Sequence, residues 1–165
     1  MEFKDFEFLL GKHVSTTTNI IGNEFENKLF ENSFYYIKSE DLEKKLYDMQ
    51  FKAITVLTND DEIIKSVTIH FSKIVTKDFY NQLINEYGFP NDIKVIKERK
   101  KISSEILNDE IFSQNMTKSN VELIDGTFED EPLFITWKNE NFKITIFFKR
   151  KQSVCDITFE NFNLN

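Results

Sequence analysis

Apolar residues recur at the spacing of one helical face in two short segments, and each segment ends at a glycine. The first carries Phe3, Phe6, Leu9 and Leu10 before Gly11. The second carries Phe79, Tyr80, Leu83, Ile84 and Tyr87 before Gly88. A stripe of this period predicts an amphipathic helix, and glycine is the usual residue just past a helix end. We therefore predict helices over residues 2–10 and 77–87.

Two β-rich runs flank a polar cluster and predict an antiparallel hairpin. The runs cover residues 51–57 and 63–71, and the cluster Thr58 to Glu62 between them has the composition of a turn. In the second run one face would carry Val67, Ile69 and Phe71, and the other Ser66, Thr68 and His70. Alternation of this kind predicts a strand with one buried face and one solvated face.

Shorter β-rich runs predict the remaining strands, and three stretches are ambiguous. The runs lie at residues 33–38, 93–96, 121–124, 133–137, 142–149 and 154–159. Residues 12–32 are polar and β-branched, which predicts a long loop containing a short strand. Residues 39–49 give a weak signal for a short helix or a turn, and residues 102–120 fit either a helix or a strand with a loop.

Each half of the chain contains a short helix, a glycine and then a strand-rich stretch with a tight hairpin turn. The turns lie near Asp60 and Asn139. A chain of 165 residues is long enough for one compact domain with a sizeable core. We predict an α+β fold with a largely antiparallel sheet and helices packed on one face. It would be a single domain over residues 1–165, in which 1–75 and 76–165 could be tandem units that share the sheet.

The doubled layout, with Tyr87-Gly88-Phe89-Pro90 at the end of the second helix, resembles that of β-lactamase-inhibitor-protein-like domains. The resemblance covers most of the chain and concerns architecture. It implies two helix-plus-meander units joined in one antiparallel sheet, with helices on one side and an exposed concave sheet face that can inhibit a target. Members of that family are typically secreted and carry disulfides, whereas this chain has one cysteine. The resemblance assigns no functional residue to a position in this chain.

Charge narrows the class of partner. The formal net charge is -7, and an acidic protein is a poor general binder of nucleic acid because phosphates require a positive field. A partner with a basic surface suits it better. The basic runs 97–101 and 149–151, near Trp137, Phe147 and Phe148, are a local exception, and we interpret them as protection of strand edges.

The sequence shows no sign of secretion or membrane insertion. Charges interrupt the aromatic residues between Met1 and Glu7, and no segment approaches the roughly 20 apolar residues of a membrane span. Cys155 is the single cysteine, so no disulfide can form within the chain. We therefore predict a cytoplasmic location and no membrane partner.

No residue pattern predicts a catalytic, cofactor or metal site. His13 and His70 lack the partners of a transition-metal motif. Asp92, Glu98 and Lys100 end in the E-x-K pattern of metal-dependent nucleases, but the strand that carries Glu98 would be charged where it should be apolar. We predict a protein without a cofactor, for which binding is favoured over catalysis.

The function that these features favour is a non-enzymatic protein-binding module, such as an inhibitor or an immunity-type protein that covers a basic surface of its partner. The predicted contact residues are acidic turn residues and aromatic anchors: Tyr35, Asp60, Asp61, Glu129, Asp130 and Trp137. Exposed carboxylates steer association, and Tyr and Trp contribute most at interfaces. The alternative is a small-molecule-binding domain or a small enzyme with a pocket between sheet and helix. A structural subunit that forms a homo-oligomer through the same face is a third hypothesis.

Overall fold

A computed structural model describes residues 1–22, 31–37, 45–108 and 113–164, with side chains for all of them except residues 37, 101–108 and 113–119. Within these ranges the chain forms three α-helices and one sheet of nine strands. The helices are α1 (Phe3–Leu9), α2 (Thr17–Ile20) and α3 (Lys77–Tyr87). The strands are β1 (Ser33–Ile37), β2 (Lys45–Leu46), β3 (Met49–Thr58), β4 (Ile64–Phe71), β5 (Asp92–Asn108), β6 (Ser113–Asp125), β7 (Phe134–Lys138), β8 (Phe142–Lys149) and β9 (Val154–Asn161). The predicted α+β fold with a largely antiparallel sheet is confirmed.

The helices α1 and α3 end where the sequence indicates. Gly11 and Gly88 follow them with φ angles of +76°, a conformation that is least costly for glycine. At the start of α3 the Phe79 N–H donates to Thr76 Oγ1 at 3.2 Å, which satisfies one of the free donors of the first turn. Both predicted helices are confirmed, and local sequence signals are sufficient to explain their ends.

The strands follow the order β1-β3-β4-β9-β8-β7-β5-β6, and β2 pairs with β3 beside this path. The last strands of the two chain halves, β4 and β9, therefore pair at the centre of the sheet. The register places the 59–62 and 139–141 turns at one end of the sheet, which we call the turn end. The opposite end, called the cleft end, carries the loop 129–133 and the turn 150–153. The tandem repeat of the two halves stays a prediction.

The helices α1 and α3 lie on the same face of the sheet, which we call the covered face. The rings of Phe3 and Phe6 in α1 lie 6.3 and 5.7 Å from that of Phe159 in β9. Phe79 of α3 meets Phe71 of β4 edge-on, with 5.6 Å between the ring centroids. All five rings are at most 3% exposed. Burial of aromatic rings in this arrangement supplies much of the hydrophobic driving force for folding.

The other face, called the open face, carries polar side chains in rows across the strands. One row consists of six residues that pair from strand to strand: Tyr35, Thr55, Thr68, Thr158, Thr145 and Thr136. The hydroxyl oxygens of Thr68 and Thr158 lie 3.0 Å apart, within hydrogen-bond distance. Most of this row is half-buried, so the open face meets solvent while the covered face does not.

Residues 14–20 form helical turns, and the prediction of a short strand in this region is wrong. The Thr17 hydroxyl donates to the Val14 carbonyl oxygen at 2.7 Å. The Ser15 N–H donates to His13 Nδ1 at 3.2 Å. Local side-chain bonds of this kind favour a turn over an extended chain even where β-branched residues are frequent.

The described parts of the stretch 102–120, residues 102–108 and 113–120, form strands, so the helical alternative is wrong for them. β5 and β6 pair with each other as far as Asn108 and Ser113. Pairing between the consecutive strands β5 and β6 overrides the helical spacing of the apolar residues here, because strand formation depends on cross-strand context more than on local propensity. Within residues 39–49, for which a short helix or a turn is predicted, Lys45–Leu46 form the two-residue strand β2. Residues 23–30, 38–44 and 109–112, which the predictions also covered, lie outside the described residues.

Candidate functional site

A two-stranded ribbon leaves the sheet at the cleft end. β5 pairs with β7 only from Asp92 to Lys94, and beyond that point the described part of β5 pairs with β6 alone. β7 does not follow it, because Pro132 lies just before the strand and has no backbone N–H for a further ladder bond. We call the part of β5 and β6 beyond Lys94 the ribbon.

A cleft lies between the base of the ribbon and the neighbouring strand ends. Its volume is about 570 Å³, and it is open on one side. The walls are formed by Ile96 and Arg99 of the ribbon, by residues 130–133 of the loop, and by residues 147–152 of β8 and the turn after it. This volume lies within the range of protein ligand sites.

The floor of the cleft is apolar. Phe147 pairs across the strands with Phe134 and Asp156, so it lies on the open face, and 42% of it is exposed. Ile96 and Leu133 complete the apolar surface. An exposed aromatic ring beside aliphatic groups is a common anchor for a bound segment.

Two of the basic side chains in the cleft are held by other parts of the protein. Arg150 Nε donates to the backbone oxygens of Glu131 and Pro132 at 3.1 and 3.3 Å. Its guanidinium also lies 5.1 Å from the ring centroid of Phe148. Lys149 is ion-paired with Asp156. These contacts fix one wall of the cleft, and they leave Arg150 and Lys149 less free to bind another group.

The other two basic side chains, Arg99 and Lys151, are exposed and have no ion-pair partner among the described residues. Both line the cleft, one on the ribbon and one on the turn after β8. The carboxylates of Asp130 and Glu131 also line it, so the cleft is mixed in charge. Arg99 and Lys151 are nevertheless available to a carboxylate from outside the chain.

A hydrogen-bonded chain links the cleft to the middle of the open face. Asp156, the partner of Lys149, accepts from His70 Nδ1 at 2.9 Å, and His70 Nε2 lies 2.8 Å from Thr55 Oγ1. Burial alone would raise the pKa of Asp156, but the hydrogen bonds from His70 and Lys149 outweigh it and lower the pKa below its ordinary value. An ionised carboxylate can only accept, so His70 Nδ1 carries a proton. In the neutral ring Nε2 then accepts from the Thr55 hydroxyl.

Hydroxyl, imidazole and carboxylate in this order are also the groups of a nucleophilic triad. The surroundings differ from those of a hydrolase. Thr55 lies in the middle of β3, between β1 and β4, so the backbone N–H groups around it serve the sheet ladder and do not form an oxyanion hole. We interpret the chain of hydrogen bonds as a structural link that orients Lys149 at the wall of the cleft.

The four predicted acidic contact residues lie at opposite ends of the sheet. Asp60 and Asp61 are at the turn end, whereas Glu129 and Asp130 are at the cleft end. All four are exposed, and Asp60 accepts a hydrogen bond from Asn32 Nδ2 at 2.9 Å. One flat partner surface centred on either turn therefore meets only one of the two pairs.

The carboxylates at the cleft end have partners within the chain. Glu129 is hydrogen-bonded and ion-paired to Lys77, which lowers the pKa of this carboxyl group. Asp130 accepts from both the hydroxyl and the backbone N–H of Thr127 at 2.8 Å, and these bonds lower its pKa. Both groups help to hold the loop before β7. Their role in partner contact stays a prediction.

The two predicted aromatic anchors occupy different environments. Tyr35 is half-buried on the open face, in the edge strand β1. Trp137 is only 3% exposed, and its indole N–H donates to the Gly88 carbonyl oxygen at 2.9 Å. The expectation that Trp137 is an exposed anchor is therefore wrong. The alternation of β7 directs it to the covered face, where its ring lies 6.1 Å from that of Tyr80.

Other residues that the sequence singles out have structural environments. Cys155 is buried, and burial raises the pKa of its thiol to about 12. Glu98 is ion-paired with Lys100 at 3.2 Å. Asp92 lies 3.8 and 3.7 Å from Lys94 and Lys138. A bulge between Ile96 and Glu98 separates the two carboxylates along β5.

Sequence reasoning missed the cleft, although its signals were visible. In the sequence alone the basic runs 97–101 and 149–151 indicate separate protection of strand edges. The sheet places one residue of the first run, Arg99, and the whole second run around the same apolar floor. Phe147, two residues before the second run, supplies the exposed ring. Only the pairing of β5, β7 and β8 shows that these groups are neighbours.

Comparisons with known proteins identify no family and no similar structure for this chain. Scans against protein-family models, curated proteins and solved structures each found no match. The resemblance to β-lactamase-inhibitor-protein-like domains therefore stays a prediction. Among the described residues, no group of three or more His, Cys, Asp or Glu side chains is placed to hold a metal ion. None of the described helices has the length and hydrophobicity needed to cross a membrane.

Proposed function

We propose that this protein is a non-enzymatic binding module, of the inhibitor or immunity type, whose cleft receives a carboxylate-bearing segment of another protein. The observation that carries the proposal is the combination of an exposed ring, Phe147, with two cations, Arg99 and Lys151, that have no ion-pair partner in the described part of the chain, around one open cleft. A segment with an apolar side chain flanked by acidic residues is complementary to this arrangement.

Covering Phe147 and pairing Arg99 and Lys151 with carboxylates would each contribute to binding. Phe147 leaves 42% of its surface in water, and covering apolar surface contributes about 25 cal/mol per Å² before the costs of association. Within the described ranges neither Arg99 nor Lys151 has an ion pair to break, so a carboxylate from a partner does not compete there with a described carboxylate of this chain. Arginine also binds carboxylates through two parallel hydrogen bonds, which adds geometric specificity.

The net charge of the chain restricts the partner further. At -7 the protein repels acidic bodies at long range, and the positive groups of the cleft act only locally. The partner is therefore a protein with an acidic segment on a neutral or basic body. A basic body also agrees with the exposed carboxylates Asp60 and Asp61 at the turn end, which would steer association.

The shape of the cleft favours a protein segment over a small ligand. Sites for small molecules enclose most of the surface of their ligand. This cleft is open on one side and is bounded by the ribbon, which extends well beyond it. An open cleft beside an extended backbone suits a chain that enters at one end and leaves at the other.

The experiment is affinity capture from a lysate of the source organism with two charge-reversal variants. Arg99→Glu/Lys151→Glu reverses the charge of the two exposed cations of the cleft. Lys12→Glu/Lys52→Glu changes the net charge by the same amount at exposed positions outside it. We expect the wild type and the second variant to retain one stoichiometric partner protein, and the first variant to lose it. Equal retention by all three proteins, or nucleic acid as the retained species, would overturn the proposal.

A further inference from the structure

We infer that the bound segment adds as a strand to the free edge of β5, in line with β7. This inference rests on the proposed function and specifies how the same cleft is used. The last ladder bond on that side is donated by the Leu133 N–H to the Lys94 carbonyl oxygen at 2.7 Å. β5 continues to Asn108, and no described residue pairs with it there on the β7 side. The sheet thus contains the start of a strand position that none of the described residues fills.

The direction of the backbone groups shows that the edge faces the cleft. Successive residues of a strand direct their N–H and C=O groups to alternate sides. The Ile93 carbonyl oxygen accepts from the Gly126 N–H at 3.0 Å on the β6 side, and the Lys94 carbonyl oxygen accepts on the β7 side. Ile96, two residues after Lys94, therefore directs its backbone groups to the β7 side, where the cleft opens.

An added strand would also bring its side chains to the correct surfaces. A residue opposite Ile96 would lie on the open-face side, next to the apolar floor formed with Phe147. Residues two positions away on the same strand share that side, because side chains alternate. The one farther from β7 would approach Arg99 and Lys151, whereas the position opposite Lys94 is already filled by Phe134 of β7. The sequence that fits therefore has an apolar residue and, two positions from it, an acidic residue, and a peptide with an acidic residue on both sides can present one to the cations in either strand direction.

The charge of the edge selects another protein over a second copy of this chain. Residues 97–101 are Lys-Glu-Arg-Lys-Lys. Antiparallel pairing of two such edges would place like charges opposite each other, which is unfavourable. An acidic segment meets the same edge with opposite charge. Strand addition of this kind obtains affinity from main-chain hydrogen bonds and specificity from alternate side chains.

The test uses the full chain and a defined peptide, Thr-Glu-Thr-Phe-Thr-Glu-Thr, labelled with fluorescein. The two glutamates and the phenylalanine share one side of an extended peptide, and threonine favours a strand. Two further peptides carry backbone N-methyl groups on alternate residues, one on the threonines and one on the other three residues. They keep every side chain and the charge, and each blocks one edge of the peptide.

We expect the parent peptide to bind, one N-methylated peptide to bind about tenfold or more weakly, and the other to bind like the parent. The Ile96 amide should exchange with deuterium more slowly in the complex. If both N-methylated peptides bind like the parent and Arg99→Glu/Lys151→Glu abolishes binding, strand addition is wrong while the proposed function holds. If the charge reversal leaves peptide binding unchanged, the proposed function fails as well. No binding of the parent at millimolar concentration also overturns strand addition.

Discussion

Thr158 and Phe159 are neighbours in β9, yet their side chains lie on opposite faces of the sheet. Phe159 lies on the covered face with 0% exposure, in contact with two rings of α1. Thr158 lies on the open face, in a row of hydroxyls. The covered face is constrained by packing, so its residues report on folding. The open face and its cleft are less constrained by packing, so an exposed ring there, beside cations that pair with no described carboxylate, indicates a binding surface.

The largest expected difference between the faces is in stability. Phe159→Ala leaves a cavity beneath α1, and we expect it to lower the free energy of unfolding by about 3–5 kcal/mol. Thr158→Ala removes one partly exposed hydroxyl contact with Thr68, and we expect a loss of about 1 kcal/mol or less. Urea unfolding of both variants measures the two values. Similar losses for the two variants would contradict the division between the faces.

The second comparison separates a packed aromatic residue from an exposed one. Trp137→Phe removes the hydrogen bond to Gly88 and part of a buried ring, so we expect a loss of about 1–3 kcal/mol in the free energy of unfolding, with binding retained. Phe147→Ala should cost about 1 kcal/mol or less because 42% of the residue is exposed, but it should weaken binding. Unfolding curves and partner capture together check both. If Trp137→Phe weakened binding and Phe147→Ala did not, Trp137 and not Phe147 would belong to the binding surface.

The acid sensitivity of the open face depends on Asp156. Its pKa is lower in the folded protein, so its ionised form stabilises the fold at pH values above the ordinary Asp pKa of about 3.9. That contribution is lost as the pH falls through the folded pKa. We expect the wild type to lose stability more steeply than Asp156→Asn over this range in urea unfolding. Parallel curves would show that the link to His70 and Lys149 contributes little.

The smallest expected effect is that of the cleft cations on stability. Arg99 and Lys151 are exposed and have no ion-pair partner among the described residues. Arg99→Glu/Lys151→Glu should therefore change the free energy of unfolding by about 0.5 kcal/mol or less. Thermal unfolding beside Lys12→Glu/Lys52→Glu provides the check. A much larger loss of stability would mean that these residues support the fold, and that the double variant loses its partner because it is destabilised.

Much of the fold could be predicted because the signals are local. Residues close together in the sequence form the apolar helix stripes that end at Gly11 and Gly88. They also form the alternating runs on both sides of the 58–62 turn. The two predictions that are wrong, a strand near residues 14–20 and a helix in the ribbon, fail for different physical reasons. Side-chain bonds at Thr17 and His13 close turns that β propensity does not anticipate. In the ribbon, pairing between the consecutive strands β5 and β6 favours strands over the helix that the apolar spacing also fits.

The candidate site could not be predicted, because it depends on which strands are neighbours. Arg99 and Lys151 lie far apart in the sequence and meet only because β5, β7 and β8 are adjacent. The acidic turns were conspicuous in the sequence, but the register places them at opposite ends of the sheet. The residue type of Trp137 favours an interface anchor, but the alternation of side chains along β7 places it in the buried core.

Site-specific photocrosslinking in the source cells tests the central claim most directly. The photoreactive residue is placed by Phe147→p-benzoylphenylalanine in the cleft and, in a matched protein, by Phe89→p-benzoylphenylalanine. Phe89 is 84% exposed and precedes β5 at the turn end. We predict that one partner protein crosslinks through an acidic segment at position 147, and that adding Arg99→Glu/Lys151→Glu abolishes this product. A partner that crosslinks only at position 89, or a product at 147 that survives the charge reversal, would contradict the account.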